Sequence, residues 1–139
     1  SLRYKKFLSL IMIDIDNFRK FNNTYGHLIG DRVLAHISRI IKNNIPKTAI
    51  SCRYGGEEIA VVLPDSDKIQ SMDIAENIRK KIFEEGKLRD IEEVVTISAG
   101  VCELSELTDK TPDSFIRVAD SALYEAKNTG KNKTVYRKE

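Results

Sequence analysis

From Phe7 to Ile15 the chain reads FLSLIMIDI, apolar until it meets Asp14. The run is too short for a comfortable helix and too β-branched toward its end, so it is expected to form a buried strand. A segment of this kind constrains the whole molecule, because other elements must cover it. Asp14 and Asp16 stand at its end, and their i, i+2 spacing puts both carboxylates on one side of the pleat if the strand reaches that far.

The rest of the chain supplies the cover. From Asn17 to Tyr25 it is polar and aromatic, and a clear helical period begins after Gly26, with Leu34, Ile37 and Ile41 facing one way and Arg32, His36 and Arg39 the other. Asn43 to Pro46 stops that helix. Two short apolar segments follow, Ile50 to Tyr54 and Glu58 to Leu63, parted by Gly55-Gly56, whose tolerance of positive φ suits a β-hairpin turn. Pro64 to Asp67 is turn and cap chemistry for a second amphipathic helix, carrying Met72, Ala75, Ile78 and Ile82 and closing near Gly86. Val94 to Val101 has the composition of a fourth strand. Thr111 caps a third helix with Pro112 in its first turn, an apolar stripe at Phe115, Val118, Ala119, Ala122 and Ala126, and Gly130 placed to end it. Thr134 to Tyr136 fits a last short strand.

The order is β, α, β, β, α, β, then an added α and β. Its first six elements match the split βαβ arrangement of ferredoxin-like folds, so the class is α+β: a central, mostly antiparallel sheet flanked by helices. Neither repeat nor linker divides the 139 residues, which read as one domain, 1–139. The apolar runs fall far short of the ~20 residues that span a bilayer, and Ser1 to Lys6 leads into the first strand without a cleavage site, so no membrane contact and a cytoplasmic location are expected. Cys52 and Cys102 then read as small buried hydrophobes in a reducing compartment. A formal charge of +2 shows no basic excess of the kind a general nucleic-acid binder carries.

Chemistry concentrates at two places. Asp14 and Asp16 end the first strand, Glu57 and Glu58 follow the hairpin turn, and in a ferredoxin-like sheet these elements are neighbours. Their carboxylates could together hold a hard divalent cation through oxygen; scattered surface acids are the plain alternative. Gly55-Gly56 serving turn geometry alone, Lys127, Lys131 and Lys133 as a solvated helix end, and His27 as a turn or cap residue are likewise open.

Taken in order, the motifs carry a resemblance. Arg53-Tyr54-Gly55-Gly56-Glu57-Glu58-Ile59 resembles the signature hairpin of the GGDEF family, the diguanylate cyclases, in its variant with Glu in the third position. Asp14 to Asn22 (DIDNFRKFN) and Tyr25-Gly26-His27 through Gly30-Asp31 look like two further motifs, and Thr96 to Val101 and Ala119 to Lys127 match two more, so the likeness runs from about Tyr4 to Tyr136. It implies a nucleotidyl-cyclase or palm-like domain that joins two GTP into cyclic di-GMP at the interface of a homodimer, releasing two pyrophosphates. It also implies that Asp14, the carbonyl of Ile15 and Glu57 ligate Mg2+ or Mn2+, with Glu58 near the metal and the candidate general base. The backbone amides of Asn17 and Phe18 would cradle phosphates with help from Arg19, Lys127 and Lys131. Asn22 and Asp31 would read guanine, His27 would sit beside the nucleotide, and Gly55 and Gly56 would let the backbone approach it. The alternative within the same fold is a catalytically inactive GTP-binding regulatory or interaction module.

The sequence departs from the family pattern at several points. Ile59 replaces the Phe of the signature, Asn23 stands where Asp is frequent, Arg19 where Lys is usual, and Lys131 where Arg is usual, which loses a bidentate fork. Pro46-Lys47-Thr48-Ala49 lacks both anchors of the Arg-x-x-Asp product-inhibition site, so feedback binding is not expected there. The family's N-terminal helix and guanine-walling turn are missing from the start of the chain, so an excised fragment without its sensor or linker region is expected.

Overall fold

The computed structural model describes residues 6–139. Ser1 to Lys5, on which part of the leader argument and the start of the resemblance fall, lie outside the described residues. Along the chain run β1 (Leu8–Ile15), α1 (Phe18–Tyr25), α2 (His27–Asn43), β2 (Ile50–Arg53), β3 (Glu58–Pro64), α3 (Lys68–Glu85), β4 (Ile97–Glu103), a 3₁₀ turn (Leu104–Glu106), α4 (Pro112–Asn128) and β5 (Thr134–Tyr136). The sheet order is β2-β3-β1-β4-β5, antiparallel throughout except for the parallel β4–β5 edge. The first four strands thus follow the split βαβ order, and the class is α+β.

β1 lies at the centre because its side chains need cover on both faces. Ile11, Ile13 and Ile15 join one core cluster with Val33, Ile37 and Ile41 of α2 and Ala75, Ile78 and Ile82 of α3. Leu10 and Met12, on the opposite face, join Phe115, Val118, Ala119 and Leu123 of α4. The added helix therefore closes the face that a bare split βαβ core leaves open. At ~2 kcal/mol for each fully buried aliphatic side chain, this two-sided burial pins the register of β1, since a slip by one residue would bring Asp14 toward the core.

α4 sits unusually close to the sheet. A Cβ at Gly100 of β4 would stand 2.2 Å from both the Ala119 carbonyl oxygen and the Leu123 nitrogen, so only glycine lets the helix backbone rest there. The small residues Ala119, Ala122 and Ala126, all fully buried, complete that approach.

Four readings of the sequence need correction. Asn17–Tyr25 contains a full helix, α1, held by Phe18, Phe21 and Tyr25: the two phenylalanine rings stack at 6.4 Å and Phe21 meets Tyr25 at 4.6 Å. Their i, i+3, i+7 spacing was the signal. β4 begins at Ile97 rather than Val94 and extends to Glu103, paired with β1 from Ile15 back to Ser9, with one further bond from the Asp16 N–H to the Thr96 carbonyl at 2.9 Å. Gly55 and Gly56 do not use positive φ; among the described glycines only Gly26 and Gly130 do. The connection is instead a wider loop closed by the Tyr54 N–H donating to the Glu58 carbonyl at 2.8 Å. Cys52 is exposed, because β2 is the sheet edge, whereas Cys102 is buried as expected.

Gly100→Ala is expected to destabilise the domain by about 3 kcal/mol, since the added methyl meets backbone that cannot step aside. Urea denaturation of the purified domain measures this, and an unchanged midpoint would show that α4 can lift off the sheet freely.

Candidate functional site at the strand ends

β1 and β3 bring the acids together through their register. Asp14 pairs directly with Glu58 across the ladder, and Glu57 precedes Glu58 in the hairpin loop. They line a cleft of about 560 Å³ with Phe18, Arg19, Asn22 and Asn23 of α1, His27, Asp31 and Leu34 of α2, and Arg53 and Gly56 of the hairpin. That volume lies within the range of small-molecule sites. At Gly56 a Cβ would meet nothing within 4 Å, so the hairpin backbone there faces open space.

Arg53 was not singled out from the sequence. Its guanidinium donates to the Gly56 carbonyl at 2.7 Å and so fixes the hairpin loop that carries Glu57. A cation placed just before a Gly-Gly turn and its paired glutamates was the available signal.

The helix side of the cleft depends on Gly30. A Cβ at that position would come within 1.7 Å of Asn22 Oδ1, so the α1 side chain lies flat against α2 only because Gly30 has none. Asn22 Oδ1 is left buried without a hydrogen-bond partner. An amide oxygen in that state is expensive unless a ligand donor reaches it.

Asp14 and Asp16 have different fates despite their shared spacing. Asp14 faces the cleft; its Oδ2 lies 3.3 Å from Lys127 Nζ, while its Oδ1 is buried and unpartnered. Burial, reinforced by the neighbouring Glu57 and Glu58 charges against the pull of Lys127, raises its carboxyl to about 6. Glu58 is raised as well, chiefly by burial, then by the Asp120 and Glu57 charges. Asp16 turns away into a dense set of hydrogen bonds with Thr96, Ser98 and the Asn132 backbone, and it does not line the cleft.

The lysines gather behind the acids. Lys127 of α4 reaches the Ile15 carbonyl at 3.5 Å as well as Asp14, and Lys131 donates to Asn17 Oδ1 at 2.7 Å. Ile15, Asn17, Gly55, Lys127 and Lys131 thus border the cleft without lining it. Among the described residues no three acidic, histidine or cysteine side chains form a ready-made metal cage. An open set of hard oxygens, one of them orphaned, still suits a Mg2+-like ion, which typically takes one or two carboxylates and completes its shell from water and substrate phosphate.

The chain is thus an α+β domain whose five-stranded sheet carries an acidic, amide-bearing cleft at its strand ends. The family model described as "Diguanylate cyclase, GGDEF domain" matches residues 1–133. Diguanylate cyclase A of Treponema denticola is 40% identical over 135 residues, covering 96% of this chain and 36% of that protein. The active GGEEF domain of a diguanylate cyclase from Vibrio cholerae superposes with a TM-score of 0.89 at 33% identity, covering 99% of this chain and 87% of that one. The GGDEF domain of DgcB from Caulobacter crescentus, solved in complex with c-di-GMP, superposes at 0.84 with 30% identity, covering 94% and 78%. The chain belongs to the diguanylate cyclase GGDEF domain family. It spans about a third of the length of the curated relatives it matches. Among the described residues no helix is long and apolar enough to cross a membrane.

Two outcomes are expected from this geometry. With chelator present, Asp14→Asn should raise stability at pH 7.5 by roughly 2 kcal/mol. The folded protein holds the Asp14 proton more tightly than the unfolded chain, so ionisation costs stability as pH rises from about 4 to about 6, and the variant's advantage should vanish below pH 4. Thermal melts across that range measure it. Gly30→Ala should leave the fold nearly as stable, because the new methyl displaces the end of the Asn22 side chain and otherwise only touches the Phe18 ring at 3.4 Å; urea denaturation measures this, and a drop in midpoint as large as that of Gly100→Ala would show that Asn22 cannot move aside.

Proposed function

We propose that this domain is a diguanylate cyclase that condenses two GTP into cyclic di-GMP, releasing two pyrophosphates, with each of two copies of the chain presenting one nucleotide. Supporting this is one observation above the rest: a single cleft takes Asn22 and Asp31 from its helix side and Asp14, Glu57 and Glu58 from its strand side. Asn22 Oδ1 and the Asp31 carboxylate are acceptors for the N1 and N2 protons of guanine, an edge that adenine does not offer. The relatives' activity, and the family to which this chain belongs, point the same way.

In this reading the triphosphate runs toward the start of α1. Phe18 and Arg19 are its first residues, whose N–H groups lack carbonyl partners within the helix, and Asn17 precedes them. Lys127 and Lys131 add charge from behind, and Arg19 from within the cleft. Asp14, the Ile15 carbonyl, Glu57 and Glu58 would hold Mg2+ or Mn2+. The ion, when bound, supplies neutralisation of charge on the phosphate oxygens. Glu58 takes the proton from the ribose 3′-hydroxyl. His27, at the first turn of α2, walls the nucleotide. A cytoplasmic setting, where GTP is abundant and Cys52 stays reduced, fits this chemistry.

The test is incubation of the domain at high concentration with GTP and Mg2+, with chromatography for cyclic di-GMP, beside Glu58→Gln. Product should form and fall by about 100-fold or more in the variant, with circular dichroism unchanged. Bound GTP without product, even when two copies are joined by fusion, would replace this reading with the GTP-binding regulatory module.

A further inference from the structure

We propose that Asp16 is a positioning residue that sets where Lys131 stands, by clamping the turn after α4 to the end of β1. The inference rests on the reading above, in which Lys131 grips nucleotide phosphate. Asp16 has a side chain only 1% exposed, and both of its oxygens are engaged. Oδ1 accepts from Ser98 Oγ at 2.6 Å, and Oδ2 accepts from Thr96 Oγ1 at 2.8 Å and from the Asn132 backbone N–H at 2.9 Å. The two hydroxyls come from the neighbouring strand and its approach, so they hold the carboxylate still. The third donor belongs to a different part of the chain.

That part needs holding. Gly130, Lys131 and Asn132 have φ of +124°, +60° and +47° in succession, and the latter two are not glycine. Left-handed backbone is costly for residues with a Cβ and persists where surrounding contacts impose it. Three contacts do so here. The Lys131 N–H donates to the Ala126 carbonyl at 3.0 Å, Arg79 of α3 donates to Asn132 Oδ1 at 3.0 Å, and Asp16 takes the Asn132 N–H. Only the last ties the turn to β1. The consequence is visible one residue back, where the Lys131 ammonium reaches Asn17 Oδ1 at 2.7 Å, next to the first amides of α1. Asp16 therefore joins two pieces that are 116 residues apart in sequence and bring charge to the same place. Lys127 Nζ lies 3.6 Å from its Oδ1 but closer, 3.3 Å, to Asp14 Oδ2, so Asp14 is the nearer anchor of the second lysine.

Asparagine does not reproduce it. If its oxygen keeps Thr96 and the Asn132 N–H, its NH2 takes the place of Oδ1, where Ser98 must turn from donor to acceptor and the Lys127 ammonium meets a donor instead of a charge; in the other orientation the NH2 opposes the Asn132 N–H. The loss should fall on the phosphate end of the site alone, because Asn22, Asp31 and His27 belong to α1 and α2 and make no contact with this turn among the described hydrogen bonds.

The experiment measures binding of GTP and of guanosine, which has no phosphate, to the chain and to Asp16→Asn, Lys131→Met and the double variant. Each single variant should weaken GTP about tenfold or more and leave guanosine unchanged, and the double variant should be no more than about twofold worse than the weaker single, the mark of residues acting through one another. Equal loss of guanosine would make Asp16 a general structural residue and overturn the proposal. So would an unaltered GTP affinity in Asp16→Asn beside a weakened Lys131→Met, or multiplying effects in the double variant. If Lys131→Met binds GTP normally, or the unmutated chain binds neither ligand, the underlying nucleotide reading fails and the proposal with it. Should Asp16→Asn not fold, Thr96→Val, which removes one of the groups that hold the carboxylate, should reproduce the same selective loss at about threefold; its absence overturns the proposal.

Discussion

Everything in this domain hangs on a strand that is dry on both faces and hydrogen bonded on both edges. β1 pairs with β3 and β4 along nearly its whole length, and Leu10 to Ile13 are buried almost completely. Because it cannot slip, its last residues are delivered to fixed positions. An acid at that end is thereby held half out of water, beside the acid that its ladder partner presents, without any loop having to carry it.

The parity of the strand then decides which helix each residue meets. Asp14 and Asp16 share the face of Leu10 and Met12, the face covered by α4, and so both come within reach of Lys127. The close seat of α4 on Gly100 is what shortens that reach. An extra methyl in the sheet, far from any acid, would move the lysine as surely as a change at the lysine itself. Packing and electrostatics are here the same constraint seen at two depths.

Two carboxylates two residues apart end in opposite states. Asp16 is saturated with donors and serves the architecture, whereas Asp14 keeps one oxygen unpartnered and is pushed toward protonation near neutral pH. That is the pattern expected when a site is built to receive something cationic: the cost is carried by the group that the ligand will relieve, and its neighbour is satisfied so that the frame does not move. Asn22 on the helix side carries the same kind of debt, with Gly30 as the reason it stays in place.

The sequence alone determined the layout. Local periodicity and turn chemistry were enough to mark β1, the hairpin and three of the four helices, and the ordered motifs around Asp14, Gly55 and Lys127 pointed to the family, because those signals depend on residues near one another in the chain. The sequence did not show that Gly55 and Gly56 avoid positive φ, that β4 starts at Ile97, or that α1 is a helix held by ring stacking. Nor could spacing alone, without the resemblance, separate Asp14 from Asp16. Which of two like carboxylates is satisfied depends on donors from Thr96, Ser98 and Asn132, and these converge only once β4 and the turn after α4 have closed on the end of β1. Charge state and orientation are set by the full three-dimensional neighbourhood, so tertiary structure had to decide them.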